Sequence, residues 1–195
     1  MPLLASSSTI ALIVFALLTP QKPGAARRPT APETFRAQAK VASEAGLAGA
    51  AYVDIHIDKY STDKDRDALV ATFNSGGYPA LVTELRKAPQ VGTVKIGADT
   101  FVVRWAREQR SGENRRTISI VTDKPMLFVG GGNVNAKPRE GYELAVIQFD
   151  MDDSGVGSGT MAAAAKIKPG GPNGLQVDDY ADQPIKLVSI SRSLS

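Results

Sequence analysis

The chain has 195 residues, of which 43% are hydrophobic and 22% charged, and its formal net charge is +3. This length suits one domain with its own core and is short for two. The absence of cysteine excludes disulfides, thiolate-bound metals and cysteine nucleophiles. The positive charge is dispersed and aromatic residues make up only 6% of the chain, which argues against nucleic-acid binding.

The N-terminal segment has the features of a secretory leader. Residues 9–18 form an apolar run that is shorter than the roughly 20 residues of a membrane-spanning helix and suits the hydrophobic region of a signal peptide. Small residues at 24–26 provide a cleavage site, although no Lys or Arg precedes the run. The sequence thus predicts a signal peptide over residues 1–26 and a periplasmic or secreted protein with no stable membrane span after cleavage. An uncleaved anchor and a buried strand are the alternatives.

Residues 27–49 are predicted to be a linker that contains a short helix. The first part is small, Pro-bearing and aperiodic. Phe35, Ala39 and Ala42 then fall at helical spacing within residues 33–48. The remaining residues, 50–195, are predicted to form a single α+β domain.

Residues 52–60 alternate between apolar and polar side chains, which predicts a half-buried strand. The apolar face carries Val53, Ile55 and Ile57, and the polar face carries Asp54, His56 and Asp58.

The segment after this strand predicts two helices. Thr62 and Asp65 match a capping box at the start of the first helix. The pair Gly76–Gly77 supplies a left-handed stop, and Pro79 lies near the start of the second helix. We therefore expect a helical hairpin over residues 61–87.

From residue 91 onward, period-two alternation and short turns predict about seven strands. Short connections between consecutive strands favour antiparallel pairing. Because the helices precede most of the strands, the fold class is α+β. We expect a strongly bent, half-barrel-like antiparallel meander of about seven to eight strands, with the helical hairpin inserted after the first strand.

The polar face of the first predicted strand is the candidate catalytic or metal-binding site. Its side chains, Asp54, His56 and Asp58, lie on one side with neighbours about 7 Å apart. A metal ion needs ligands about 2 Å from one point, and a general base needs similar convergence. A half-exposed strand requires the same alternation, so this face becomes a site only if another element brings a further polar group to it.

The candidate ligand contacts are Trp105, Arg104 and Tyr78. Trp105 and Arg104, together with Arg107, form a potential carbohydrate- or anion-binding patch. Trp105 also shares the parity of Phe101 and Val103, which favours a place in the core. Tyr78 contacts a ligand at the surface or, in the alternative, joins the two predicted helices.

Two loops partly match binding motifs. Residues 150–159 place Asp150, Asp152 and Ser154 at calcium-loop spacing, but Met161 stands where an EF-hand needs Glu, so a plain hairpin turn is expected. Residues 130–133, GGGN, lack the following helix of a phosphate loop, so a simple loop is expected.

A resemblance to a group of small exported bacterial proteins without an assigned activity is carried by four runs: YSTDKDRDALVATFNSGGYPALVTELRKAPQVG, FVVRWARE, ISIVTDKPMLF and GYELAVIQFDMDDSGVGSGTMAAAAKI. The resemblance covers most of the chain after the predicted leader. It implies an extracytoplasmic domain that stands alone, and it assigns no functional residues.

Two classes of function stay open, with a cell-envelope structural protein as a third. In the first, an exported non-enzymatic domain binds a small or apolar ligand or a protein partner. In the second, a metal-dependent or histidine-dependent hydrolase uses His56 with Asp54 and Asp58. A single histidine and no recognisable nucleophile motif favour the first class. That reading implies no cofactor and no nucleic-acid partner.

Overall fold

The computed structural model describes residues 13–15, 31–41, 49–110, 115–126, 140–170, 174–179 and 185–193. Of the predicted signal peptide only residues 13–15 lie in this part, and the predicted glycine loop at 130–133 lies outside it. The elements are β1 (Ile13–Phe15), β2 (Glu33–Val41), β3 (Gly49–Ile57), α1 (Asp63–Lys87), β4 (Gly92–Ile96), β5 (Asp99–Arg110), β6 (Arg115–Thr122), β7 (Leu144–Asp152), β8 (Val156–Gly170), β9 (Gly174–Asp179) and β10 (Ile185–Ser193).

Eight of the described strands form a closed antiparallel barrel. Each strand from β2 to β7 pairs with its successor, β10 pairs with β2, and β8 pairs with both β7 and β10, which closes the ring. The predicted α+β class with an open, half-barrel-like meander is therefore wrong, since the described residues are mostly strand with one helix and the sheet closes on itself. Short hairpins look the same in an open and a closed sheet. Closure depends on the long-range pairing of β10 with β2 and β8, which no local sequence pattern reveals.

The barrel interior is filled with side chains and forms the main hydrophobic core. A barrel of eight strands has an interior just wide enough for side chains to fill. Alternate residues of its strands point inward and are almost fully buried, among them Phe35, Ile55, Val94, Val103, Ile120, Ile147, Met161 and Leu187. The rings of Phe35 and Phe149 meet edge to face, with their centroids 5.1 Å apart.

Residues 33–41 form strand β2, so the predicted short helix is wrong over this range. The strand pairs with β3 along its whole length, and Phe35, Ala37 and Ala39 point into the barrel. The error has a simple cause. Phe35 and Ala39 are four residues apart, a spacing that fits one face of a helix and equally one face of a strand. The rest of the predicted helix, residues 42–48, lies outside the described part of the chain.

One helix, α1, crosses the outer wall of the barrel. Its capping box, between Thr62 and Asp65, is confirmed. The predicted helical hairpin is wrong, because the glycine pair does not end the helix. The chain kinks at Gly77, whose torsion angles are φ 67° and ψ −163°, and helix continues to Lys87. Among the described residues no helix is both long and apolar enough to cross a membrane.

A second hydrophobic core lies between α1 and the barrel wall. The helix contributes Phe73, Tyr78, Leu81, Val82 and Leu85, and the strands contribute Trp105, Val121, Leu144, Val146, Ala162, Ala165, Ile167, Leu175 and Val177. Strand β8 extends beyond the barrel, where its last residues pair with β9, and β9 pairs with β1. The helix therefore covers the outer face on the side of β5 to β8. The outer faces of β10, β2, β3 and β4 carry exposed polar side chains instead.

Candidate functional site

A cavity of about 390 Å³ opens between α1 and the barrel wall. Its lining combines apolar side chains, such as Leu69, Val91 and Trp105, with charged ones, such as Lys59 and Asp65. Pockets of roughly 300–1,000 Å³ with a mainly apolar lining and a few polar groups are typical of small-molecule sites. The cavity is therefore the candidate functional site of the described fold.

The kink in α1 creates this cavity. Residues 65, 68 and 69 in the first arm line it together with residues 84, 87 and 88 at the end of the second arm. A straight helix of 25 residues would be about 37 Å long and would hold these groups far apart. The torsion angles at Gly77 bend the helix, so both arms reach the same cavity.

Two arginines anchor α1 over the barrel. At the start of the helix, Arg107 Nη2 lies 2.8 Å from Asp63 Oδ1. At its end, Arg104 Nη1 donates to the carbonyl oxygen of Ala88 at 2.9 Å, and Arg104 Nε and Nη2 donate to Asp123 Oδ2 at 3.2 and 3.1 Å. Arg104 lines the cavity, as a predicted ligand contact would, but these bonds already occupy its guanidinium group. Its described contacts make it a positioning residue.

A bulge in β5 places Trp105 beside the cavity. The register with β6 shifts between Val103 and Trp105, so Val103 enters the barrel while Trp105 packs outside it, in the second core. Trp105 is buried in a core, as its parity predicted, but the bulge places it in the second core and not in the barrel interior with Phe101. The indole is only 4% exposed, and its Nε1 is buried without a hydrogen-bond partner among the described residues. Trp105 is the single tryptophan of the chain.

Tyr60 connects the cavity to the inside of the barrel. Its side chain lines the cavity, and its hydroxyl donates to Glu33 Oε2 at 2.5 Å. Burial, followed by the hydrogen bond to Glu33, raises the pKa of the Tyr60 hydroxyl above its ordinary value. The hydroxyl therefore stays protonated and keeps its role as a donor.

A buried ion-pair cluster surrounds Glu33 at this end of the barrel. Arg116 donates to both carboxylate oxygens at 2.9 Å, and Arg192 Nε lies 3.0 Å from Oε1. Arg116 also contacts Glu108 at 3.4 Å, and burial raises the pKa of that carboxyl. The sequence reasoning missed this cluster. Its signal was present in the parity of the strands, since Glu33 is in phase with the inward-facing Phe35.

The charges that line the cavity are mixed in sign. Lys87 lies 3.7 Å from Glu84. Hydrogen bonds from Thr62 to Asp65 lower the pKa of that carboxyl, so it stays ionised as part of the helix cap. The Lys59 ammonium has no hydrogen bond or ion pair within the described ranges. Within the described lining, the cavity thus combines apolar walls with a lysine whose ammonium makes no hydrogen bond or ion pair and whose charge helps to lower the pKa of Asp65.

The predicted metal or catalytic face is an open, polar outer wall. His56 Nε2 lies 3.1 Å from Asp58 Oδ1, and His56 Nδ1 lies 2.9 Å from Thr34 Oγ1. Asp54 turns away and pairs with Arg36 at 2.7 Å. Among the described residues, no group of three or more His, Asp or Glu side chains is arranged to hold a metal ion. The structure therefore brings together His56 and Asp58, but not all three residues, and it places them outside the cavity.

Tyr78 joins α1 to the sheet. Its hydroxyl donates to the carbonyl oxygen of Ala165 at 3.0 Å and accepts from the backbone N–H of Glu143 at 3.1 Å. Burial raises the pKa of this hydroxyl, so it stays a donor. Tyr78 is not part of the cavity lining.

The acidic segment between β7 and β8 forms a tight turn. Asp152 Oδ1 accepts from Ser154 Oγ at 2.6 Å and from the backbone N–H of Val156 at 3.0 Å. These bonds lower the pKa of the Asp152 carboxyl. Its side chain serves the turn, in line with the expected hairpin.

Comparison of the chain with protein-family models, with curated proteins and with solved structures gave no significant match.

Proposed function

We propose that this protein is a non-enzymatic binding domain that holds a small, partly apolar ligand between α1 and the barrel. The observation that carries the proposal is the cavity of about 390 Å³, in which the apolar Leu69 and Trp105 lie beside the charged Lys59. Such a lining can exclude water from an apolar group and orient a polar one. Two arms of one kinked helix form the rim, so a ligand would contact both.

The hydroxyl groups at the cavity support binding rather than catalysis. Ser61 Oγ accepts from the backbone N–H of Ala106 at 3.2 Å, and Thr62 Oγ1 is engaged with Asp65 in the helix cap. Neither hydroxyl lies next to His56, whose imidazole contacts Thr34 and Asp58 on the outer wall. An activated nucleophile needs a base within hydrogen-bond reach. The carboxylate of Asp65 accepts from Thr62 Oγ1 at 2.8 Å, but it also accepts from the Thr62 backbone N–H as part of the helix cap. These bonds lower the pKa of Asp65, which makes it a weak base.

The single tryptophan allows a direct test. We expect N-phenyl-1-naphthylamine, a neutral apolar fluorophore, to bind the full chain saturably at one site and to quench Trp105 by energy transfer. Ala68→Phe places a large ring in the cavity lining and should weaken binding about tenfold. Ala71→Phe changes an exposed alanine of the same helix outside that lining and serves as the matched control. Equal binding by the two variants would refute the proposal.

Export and the resemblance to small exported bacterial proteins stay predictions. N-terminal sequencing of the protein recovered from bacterial fractions tests both the compartment and cleavage after residue 26.

A further inference from the structure

The outer wall opposite α1 carries an exposed aromatic ring among cations. Tyr52 on β3 is 63% exposed, one of two large hydrophobic side chains among the described residues with such exposure. The guanidinium of Arg36 lies 5.5 Å from the centroid of its ring. An exposed ring beside a cation provides an apolar surface together with positive charge.

Two lysines stand directly opposite each other on this wall. Lys186 on β10 pairs in register with Lys40 on β2, and both side chains are exposed. Like charges in directly opposite positions of neighbouring strands destabilise a sheet. Neither lysine has a hydrogen bond or an ion pair within the part of the chain that the structure describes. Lysines on an unpaired edge strand can prevent its association with other chains. Both of these strands are paired on each side in the barrel, so that role does not explain Lys40 and Lys186.

The positive charge extends across the neighbouring strands. Lys95 on β4 lies opposite Asp54, which in turn lies opposite Arg36. Asp54 is held by Arg36, and this bond lowers the pKa of its carboxyl. We call the surface formed by Arg36, Lys40, Tyr52, Lys95 and Lys186 the basic face. It has four cations, and Asp54 is the carboxylate that lies between them.

We propose that the basic face binds an acidic polysaccharide. A chain of carboxylated or sulfated sugars would place anionic groups against the Lys40–Lys186 pair and Lys95, which relieves the repulsion between the lysines. The ring of Tyr52 would pack against the apolar face of a sugar. This site lies on the opposite wall from the cavity and does not depend on the ligand proposed there.

A polysaccharide fits this face better than a single-stranded nucleic acid. Proteins that bind single strands stack successive bases on several aromatic side chains. The basic face has one exposed ring, and the outward-facing residues of β2 nearest to Tyr52 are Arg36, Gln38 and Lys40, none of which is aromatic. Positive charge beside one exposed ring therefore fits an anionic sugar polymer better than a single-stranded nucleic acid.

The test compares two triple variants that lose the same charge. One combines Lys40→Gln, Lys95→Gln and Lys186→Gln on the basic face. The other combines Lys64→Gln, Lys124→Gln and Lys168→Gln, which are exposed elsewhere on the described surface. Binding of the full chain to fluorescein-labelled heparin and alginate oligosaccharides is measured by anisotropy at low salt, with neutral dextran and oligothymidylate as further probes.

We expect the basic-face triple variant to lose about tenfold in affinity for both acidic sugars, and the matched triple variant to keep the affinity of the parent chain. Tyr52→Ala should weaken binding while leaving its salt dependence unchanged, and Tyr52→Phe should retain it. Equal losses of affinity in the two triple variants would show that binding depends only on net charge, and this would refute the proposal. Equal binding of dextran, or tighter binding of oligothymidylate than of either acidic sugar, would also refute it.

Discussion

Glu33 and Arg116 form a two-point ion pair inside one end of the barrel, with both N–O distances at 2.9 Å. The side chain of Glu33 is fully buried and that of Arg116 is 15% exposed. The pair lies among apolar residues, and Arg116 also stacks over the ring of Phe35 at 5.7 Å. Removal of one member would leave a buried charge without compensation, which is far more costly than loss of a surface pair.

We predict that Glu33→Ala lowers the free energy of unfolding by about 3–5 kcal/mol, because Arg116 and Arg192 lose their shared carboxylate. Asp54→Ala is the matched control, since it also breaks an arginine–carboxylate pair, with side chains 62% and 39% exposed. It should cost less than about 1 kcal/mol. Urea denaturation of both variants measures the difference. Similar losses in the free energy of unfolding of Glu33→Ala and Asp54→Ala would contradict the prediction that the buried pair stabilises the fold more than the exposed one.

Most local elements of this fold could be predicted from the sequence, but the closure of the sheet into a barrel could not. The alternation of Val53, Ile55 and Ile57 correctly predicts strand β3, and the Thr62–Asp65 box correctly predicts the start of α1. These features depend on residues close in the chain. The ring closes through pairing of β10 with β2, whose residues are about 150 positions apart, and sequence periodicity carries no information on such pairing.

A second prediction concerns the close approach of β8 to β7. A Cβ atom at Gly159 would lie 2.2 Å from the carbonyl oxygen of Gln148 and 2.5 Å from Phe149 Cβ. Gly159→Ala should therefore force the two strands apart and lower the free energy of unfolding by about 1–3 kcal/mol or more. Ser158→Ala, at the exposed neighbouring position, should be close to neutral. A thermal midpoint of Gly159→Ala equal to that of Ser158→Ala would contradict this packing.

A third prediction is a loss of stability in acid. Hydrogen bonds lower the pKa values of Asp65 and Asp54 below the ordinary 3.8, through Thr62 and Arg36 respectively. Below that value the unfolded chain binds more protons than the folded one, so stability rises with pH in this window. The stabilisation is nearly complete above about pH 5 and is lost as the pH falls through the folded pKa values.

Urea denaturation from about pH 2 to about pH 6 measures this slope. Asp65→Asn keeps an acceptor for the backbone N–H of Thr62 but no longer titrates, so it should flatten the acid limb. Glu108 acts in the opposite direction, because burial raises the pKa of its carboxyl and protonation favours the folded state. An unchanged slope in Asp65→Asn would show that the cap carboxylate contributes nothing to the acid transition.

The candidate site was only partly predictable. Trp105 and Arg104 were selected from their residue types, and both line the cavity. The bulge that turns Trp105 out of the barrel was not recognised, because period-two parity groups Trp105 with Phe101 and Val103, and the adjacent apolar pair Trp105–Ala106 was not taken as a break in that pattern. Tyr60 was missed because it lies beyond the end of β3 and belongs to no recognisable motif. Its role arises from Glu33, which lies 27 positions earlier and shares the interior with it.

The last prediction links the kink in α1 to the cavity. Gly77 has φ 67° and ψ −163°, a region of torsion angles that is essentially restricted to glycine. Gly77→Ala should therefore cost about 1–3 kcal/mol of stability or relax the helix toward a straight form. Relaxation would separate Asp65 and Leu69 from Lys87, which line the cavity together only because the helix bends.

Binding of N-phenyl-1-naphthylamine, measured by energy transfer from Trp105, should then fall even when circular dichroism shows that the Gly77→Ala chain is folded. Ser75→Ala, an exposed change in the same turn, should leave binding intact. A folded Gly77→Ala chain that binds the fluorophore like its parent would show that the bend is not what forms the site.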